Sequence, residues 1–184
     1  ECKFMPSDAL VERFLGAMEE IQVKPRRRII DFGKICTDVF CVKSGIVRLF
    51  HVDDAKESTF GFASPGTIFM SPLSFYLDAP AFLMAETCKI PATLLRMNRA
   101  TFYSFINGSD EFARWMFSLA SAQICICERK LSLINGSAME RYQAVLKNRP
   151  EIVEAVTDRV LASYLEITPQ HLCRLKQQLR DKHS

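Results

Sequence analysis

Little in this chain points to covalent chemistry. Only three histidines occur among 184 residues, and one of them, His183, sits next to the last position. No glycine-rich phosphate loop and no G-x-S-x-G nucleophile elbow occur. Seven cysteines are present, at positions 2, 36, 41, 88, 125, 127 and 173, yet none forms a C-x-x-C pair. An odd count without ligand spacing reads as small core hydrophobes in a reducing compartment. Cys125 and Cys127 project to different faces of their helix, which weakens a two-ligand role further. No metal, no cofactor and no catalytic residue are therefore expected. No apolar run approaches the ~18 residues of a membrane-spanning helix. The opening Glu1-Cys2-Lys3-Phe4 lacks a charged-then-apolar leader layout, so a cytoplasmic, non-membrane protein is expected. The net charge of +3 permits nucleic acid without arguing for it.

What the chain does hold falls into three regions. After a short helical opening capped by Ser7, residues 24 to about 96 show short apolar stretches separated by turn signals. Val39-Phe40-Cys41-Val42, Lys43-Ser44-Gly45 and Ile46-Val47-Arg48-Leu49-Phe50 are one such succession. This spacing predicts an antiparallel jelly-roll barrel. The basic run Lys24-Pro25-Arg26-Arg27-Arg28 reads as a solvated loop at its rim. The second region is one long helix, opened by Ser109 and stopped at Asn135-Gly136. Ala113, Phe117, Ala120, Ile124, Cys127, Leu131 and Ile134 alternate steps of four and three along it, which is a heptad seam. A neighbouring stripe contains Phe112, Trp115, Leu119, Ala122, Ile126 and Leu133. Two stripes need two covers: the barrel for one, and a second copy of the helix for the other. The alternative is that both sit in an intrachain core. The dimer is the favoured expectation, with Phe117, Ala120, Ile124, Cys127 and Leu131 at its interface.

The third region carries the functional signal. Ser137-Ala-Met-Glu140 has capping-box spacing, and its helix should end before Pro150. Thr157 can cap a helix carrying Val160, Leu161, Tyr164 and Leu165, and Thr168-Pro169 restarts another after a tight turn. That succession has helix-turn-helix spacing. Ala162 is small where the helices cross, and Leu165, Ile167, Leu172 and Leu175 form the wedge. Gln170, His171, Arg174 and Gln177 remain on the outer face of the second helix, suited to base edges in a major groove. Arg159, Lys176, Arg180 and Lys182 lie where phosphates could be met, with Thr168 beside them.

The segment Ala162-Ser-Tyr-Leu-Glu-Ile-Thr-Pro-Gln-His-Leu-Cys-Arg-Leu resembles the helix-turn-helix of the CRP/FNR superfamily of bacterial transcription regulators. The strand-turn-strand Val42-x-x-Gly45-x-Val47-Arg48-Leu49 and the turn Phe62-Ala-Ser-Pro-Gly66 are similar to that family's barrel signature. The resemblance implies an α+β architecture of a sensor barrel over residues 1–107, a dimerisation helix over 108–135 and a DNA-binding unit over 136–184. It also implies phosphate contacts by Thr157 and Arg159 and base reading by Gln170 and Arg174, on an inverted repeat of double-stranded DNA. RNA polymerase is a candidate further partner. Two departures stand out: Glu166 occupies the turn position usually held by glycine, and the chain has little room for a wing after the recognition helix.

The resemblance also shows what this barrel lacks. Cyclic-nucleotide-binding relatives present a Gly-Glu pair to the ribose and an arginine to the cyclic phosphate. Here Met70-Ser71 replaces the pair, and no arginine or lysine occurs from Gly66 to Ala85. Cyclic AMP is therefore not expected. Phe69, Met70, Ser71, Leu73, Ser74 and Phe82 either line a more apolar effector pocket or fill the barrel. A protein-interaction or small-molecule-binding module with a degenerate helix-turn-helix is the alternative function.

Overall fold

The computed structural model describes residues 4–54, 56–133 and 136–181, with residues 129–133 described as backbone only. Among the described residues, eight strands build two four-stranded antiparallel sheets. One has the order β1 (Glu19–Val23), β8 (Ala92–Met97), β3 (Val39–Ser44), β6 (Ile68–Phe69). The other runs β2 (Arg28–Ile30), β7 (Met84–Thr87), β4 (Val47–Asp53), β5 (Lys56–Ala63). This is the strand order of a jelly roll, in which successive strands alternate between the sheets except at the β4–β5 hairpin. Gly45 makes the change from β3 to β4 possible. Its φ is +81°, and a Cβ there would lie 2.6 Å from the Pro91 carbonyl oxygen, so only glycine fits.

The barrel is closed by its own side chains. Phe40 and Phe69 stack inside it with ring centroids 5.3 Å apart, among Val42, Val47, Ala85 and Leu94. Four helices frame it. Helix α1 (Asp8–Gly16) is capped by Ser7 as expected, and the Ser7 amide also donates to Glu111 Oε1 at 2.6 Å. Helix α2 (Pro72–Leu77) lies between β6 and β7, and α3 (Arg99–Gly108) precedes α4 (Asp110–Leu133). An aromatic cluster ties three of them together: Phe14 of α1 lies 5.6 Å from Phe105, 5.0 Å from Phe112 and 5.7 Å from Trp115.

Helix α4 matches the long expected helix, with Ser109 capping it through the Phe112 amide at 3.2 Å. The expected stop at Asn135 lies outside the described residues, as does Ile134, and nothing is described of the side chains of Leu131 and Leu133. Four short helices follow: α5 (Ala138–Asn148), α6 (Pro150–Ala155), α7 (Asp158–Tyr164) and α8 (Pro169–Asp181). The capping box between Ser137 and Glu140 is formed, and α5 stops before Pro150. Hydrogen bonds from the Ser137 backbone and side chain hold the Glu140 carboxyl below its usual pKa.

The cysteine expectation needs correction. Cys41 and Cys88 are buried, but Cys125 and Cys173 are exposed, because each falls on the outer phase of its helix. Residues are buried by helical phase and not by apolarity alone.

Candidate nucleic-acid interface

The C-terminal pair of helices is built from local signals. Thr157 Oγ1 accepts from the Val160 amide at 3.3 Å and opens α7. Thr168 Oγ1 accepts from the His171 amide at 3.1 Å and opens α8. Between them the chain turns on Glu166, whose φ is +56°. The Ile167 amide donates to the Ala162 carbonyl at 3.0 Å and the Glu166 amide to the Ser163 carbonyl at 3.3 Å. That pair of bonds is a Schellman motif, normally completed by glycine. Ala162, Leu165, Leu172 and Leu175 are buried in the crossing, and Ile167 packs against them.

On the outside of α8, Gln170, Arg174 and Gln177 are exposed at steps of four and three, so they share one face. His171 is half-buried beside them. Arg159 and Arg180 are exposed, Thr157 is half-buried, and Lys182 lies outside the described residues. Lys176 differs from the expectation of a side chain presented to phosphate: its Nζ lies 2.5 Å from Asp158 Oδ1, an ion pair joining α8 to α7. The basic run at the barrel rim is solvent-exposed from Lys24 to Arg28, and Arg28 pairs with Glu86 at 3.1 Å.

The six residues expected around an effector pocket do not converge. Phe69 lies in the barrel cluster, whereas Met70 packs with the aromatic cluster of α1, α3 and α4. Ser71 Oγ caps α2 and donates to Ser74 Oγ at 3.2 Å, and Ser74 Oγ donates to the Ala79 carbonyl at 3.0 Å. Both hydroxyls are thus spent on the turn itself. Leu73, in the first turn of α2, and Phe82, beyond the left-handed Asp78 that ends it, are 40% and 55% exposed. Phe82 stacks on His51 at 5.5 Å, and Asp78 accepts from Arg99 at 2.6 Å. A separate polar cleft of about 260 Å³ lies between β1, β8 and α3, with Glu19, Asp38, Arg96 and Thr101 in its wall. Its only cation, Arg96, is already bonded to Glu19 at 2.6 Å.

Along the first half of α4 the two stripes have different surroundings, whereas further on Ile126 of the barrel-side stripe is 57% exposed. Phe112 is fully buried and Trp115 half-buried against the barrel side, while Phe117 is 76% exposed and Ile124 62% exposed. Ala120 is exposed between them, and Cys127 is half-buried.

A group not foreseen from sequence joins the barrel to the helix pair. Arg48 of β4 is 2% exposed. Its Nε donates to Thr59 Oγ1 at 2.9 Å, its Nη1 reaches Glu57 at 2.9 Å and Glu86 at 3.4 Å, and its Nη2 reaches Ser163 Oγ of α7 at 3.4 Å. Thr59 and Ser163 also share a hydrogen bond. Around this group Phe62 meets Tyr164 edge-on at 5.1 Å, and Lys89 N donates to the Ala155 carbonyl at 3.1 Å. Ile46 and Cys88 of the barrel share one core with Ile152, Leu161 and Leu172. Burial pushes the Cys88 thiol up to about 12. The signal was an arginine between the apolar residues Val47 and Leu49, but its partners at 57, 86 and 163 are invisible from local pattern.

Residues 20–109 match the cyclic nucleotide-binding domain family. Comparison with curated protein sequences finds no match. Among solved structures, the chain is similar to FixK2 from Bradyrhizobium japonicum, at 18% identity and a TM-score of 0.79, over 90% of this chain and 86% of that one. It is also similar to the c-di-GMP responsive global regulator CLP of Xanthomonas campestris, at 16% identity and a TM-score of 0.77, over 96% and 93%. A CooA mutant from Carboxydothermus hydrogenoformans is similar at 17% identity and a TM-score of 0.71, over 97% and 87%. The fold is that of the CRP/FNR regulators. Among the described residues, no helix is long and apolar enough to cross a membrane.

Proposed function

We propose that this chain, whose barrel matches the cyclic nucleotide-binding domain family on a CRP/FNR fold, is a dimeric, sequence-specific DNA-binding transcription regulator. The observation that carries the reading is the polar face of α8, with Gln170, Arg174 and Gln177 exposed at helical spacing on a packed helix-turn-helix. A guanidinium fork matches the two acceptors of guanine, and a carboxamide matches the acceptor and donor of adenine. Arg174 and Gln170 are therefore assigned to base edges, with His171 beside them. Arg159, Thr157, Thr168 and Arg180 are assigned to phosphates. The two threonines already accept from helix amides, which leaves their hydroxyl protons to donate to phosphate oxygens. Lys176 serves this role only by exchanging Asp158 for phosphate.

The dimer forms along α4. Phe117, Ala120 and Ile124 leave a large apolar stripe in water that a second copy of the helix would cover. Cys127 and Leu131 continue the same seam. In this reading the barrel spans 1–107, the dimerisation helix 108–135 and the DNA-binding unit 136–184, with RNA polymerase as a candidate partner. The barrel has lost the clamp for a cyclic phosphate. Supporting this, Ser71 and Ser74 are bonded to the turn they occupy, and the stretch from Gly66 to Ala85 contains no cation. An anion in a semi-buried site needs such a partner.

An unbiased selection of bound duplexes from a random pool, repeated at two salt concentrations, tests the function. An inverted repeat with half-sites about 34 Å apart is the expected outcome. Recovery of no preferred sequence at either salt concentration overturns the reading.

A further inference from the structure

The surface of α8 reads sequence only if its angle to the dimer helix is fixed. Four residues, 134–137, separate α4 from α5. Arg141 of α5 strengthens this link by donating to the carbonyls of Gly136 at 2.5 Å and Leu165 at 3.1 Å. The angle between barrel and helix pair is set elsewhere, on the outer face of the β2-β7-β4-β5 sheet.

There the Arg48 guanidinium sits with 3% of its side chain exposed, against Glu57, Glu86, Thr59 and Ser163. It also lies 4.1 Å over the ring of Phe50, and the Arg28 guanidinium lies 4.8 Å from the same ring. Arg28 and Arg48 both bond Glu86, so two cations and two carboxylates balance around one buried ring. A buried charge tolerates little misplacement, because any bond it loses is not replaced by water. A planar fork with several fixed donors adds direction to that requirement. Ser163 is the member of this group that belongs to the helix-turn-helix, and it sits in α7 one turn after Arg159. Tyr164, the next residue, packs on Phe62 of β5.

We propose that Arg48 and Ser163 form a latch that fixes α7 on the barrel and thereby sets the half-site spacing the dimer accepts. Arg48 is a positioning residue: it touches no DNA and acts through α7 on α8. The inference rests on the DNA-binding reading above. In each protomer the rigid path runs from the α4 seam through the aromatic cluster to the barrel, across Arg48 and Ser163 to α7, and through the Ala162 crossing to α8. With the latch closed, the two recognition helices have one separation and one relative rotation. One added base pair moves a half-site by about 3.4 Å and turns it by about 34°, at 10–10.5 base pairs per turn. A latched dimer resists that change, and an unlatched one follows it.

The test uses the full chain and duplexes carrying two selected half-sites at the preferred spacing and at one base pair less and one more. The parent should prefer one spacing by about tenfold or more, equivalent to about 1.4 kcal/mol. Ser163→Ala should cut that preference at least threefold, while affinity for a duplex with a single half-site stays within twofold. Arg48→Lys, which keeps the charge and loses the fork, should act in the same direction. Hydrogen exchange without DNA should show α7 amides losing protection in both variants while α1 does not change. If Arg48→Lys does not fold, Ser163→Ala alone decides. Spacing preference equal to the parent's in Ser163→Ala overturns the latch, as does a parent that binds all three spacings equally. A parent that binds none of the duplexes overturns the latch together with the DNA-binding reading.

Discussion

Glu166 completes a Schellman motif in the left-handed conformation at φ +56°, so replacing it with glycine should stabilise the protein. A side chain in that region costs about 1–2 kcal/mol, from the clash of Cβ with the following carbonyl. Glycine removes the clash but loses roughly 0.5–1 kcal/mol more chain entropy on folding. The difference leaves a net gain of up to about 1.5 kcal/mol. For a chain of this size that raises the melting midpoint by up to about 6 °C. Glu166 is exposed, and its carboxylate also lies between the two helices proposed to meet DNA. Charge and geometry must therefore be separated. Glu166→Ala removes the carboxylate and keeps the strained backbone, whereas Glu166→Gly removes both. Thermal unfolding should rank Glu166→Gly above the parent and above Glu166→Ala. Both variants should bind scrambled DNA more tightly than the parent at low salt, with the gain fading as salt screens the repulsion. Glu166→Gly melting no higher than Glu166→Ala would refute the strain argument.

Four further outcomes are expected. Ile124→Glu or Ala120→Glu puts an unpaired charge on the α4 seam, and sedimentation should show the dimer dissociating at micromolar concentration; an unchanged sedimentation coefficient for both refutes the seam. At pH 8 a thiol reagent should label Cys125 and Cys173 within minutes and spare Cys88, whose thiol stays protonated in the fold. Because the Cys88 pKa is raised from 9.0 to about 12, the unfolded chain releases its proton first, so stability should fall as pH rises from about 9 towards 12. Fast labelling of Cys88 in the native state contradicts its place in the shared core. Calorimetry should detect no saturable binding of cyclic AMP or cyclic GMP, and a micromolar dissociation constant for either refutes the lost clamp.

Most of the helical architecture could be read locally. Ser7, Ser137, Thr157 and Thr168 announce their helices because capping involves residues three positions apart. The jelly roll followed from strand spacing, and Glu166 was legible as a strained turn because glycine belongs there. Helix α3 was missed, although Asn98 caps it through the Thr101 amide at 2.9 Å; its short apolar pattern looked like the end of the barrel. The surroundings of the residues read around the barrel turn were not legible locally: the chain passes through a left-handed residue at Asp78, and Phe82 stacks on His51. Arg48 was legible only as a barrel signature. Its partners come from β5, β7 and α7, and only the folded topology brings them together.

The central claim is that α8 reads bases through Arg174. The most direct measurement is a titration of the parent and Arg174→Ala against the selected duplex and a scrambled one, across a salt series. Arg174→Ala should lose about 1–3 kcal/mol on the selected duplex and relax the preference at one base pair per half-site. On the scrambled duplex it should lose far less, and only through the salt-dependent part. Equal losses on the two duplexes, or a parent that binds them equally, would contradict the account.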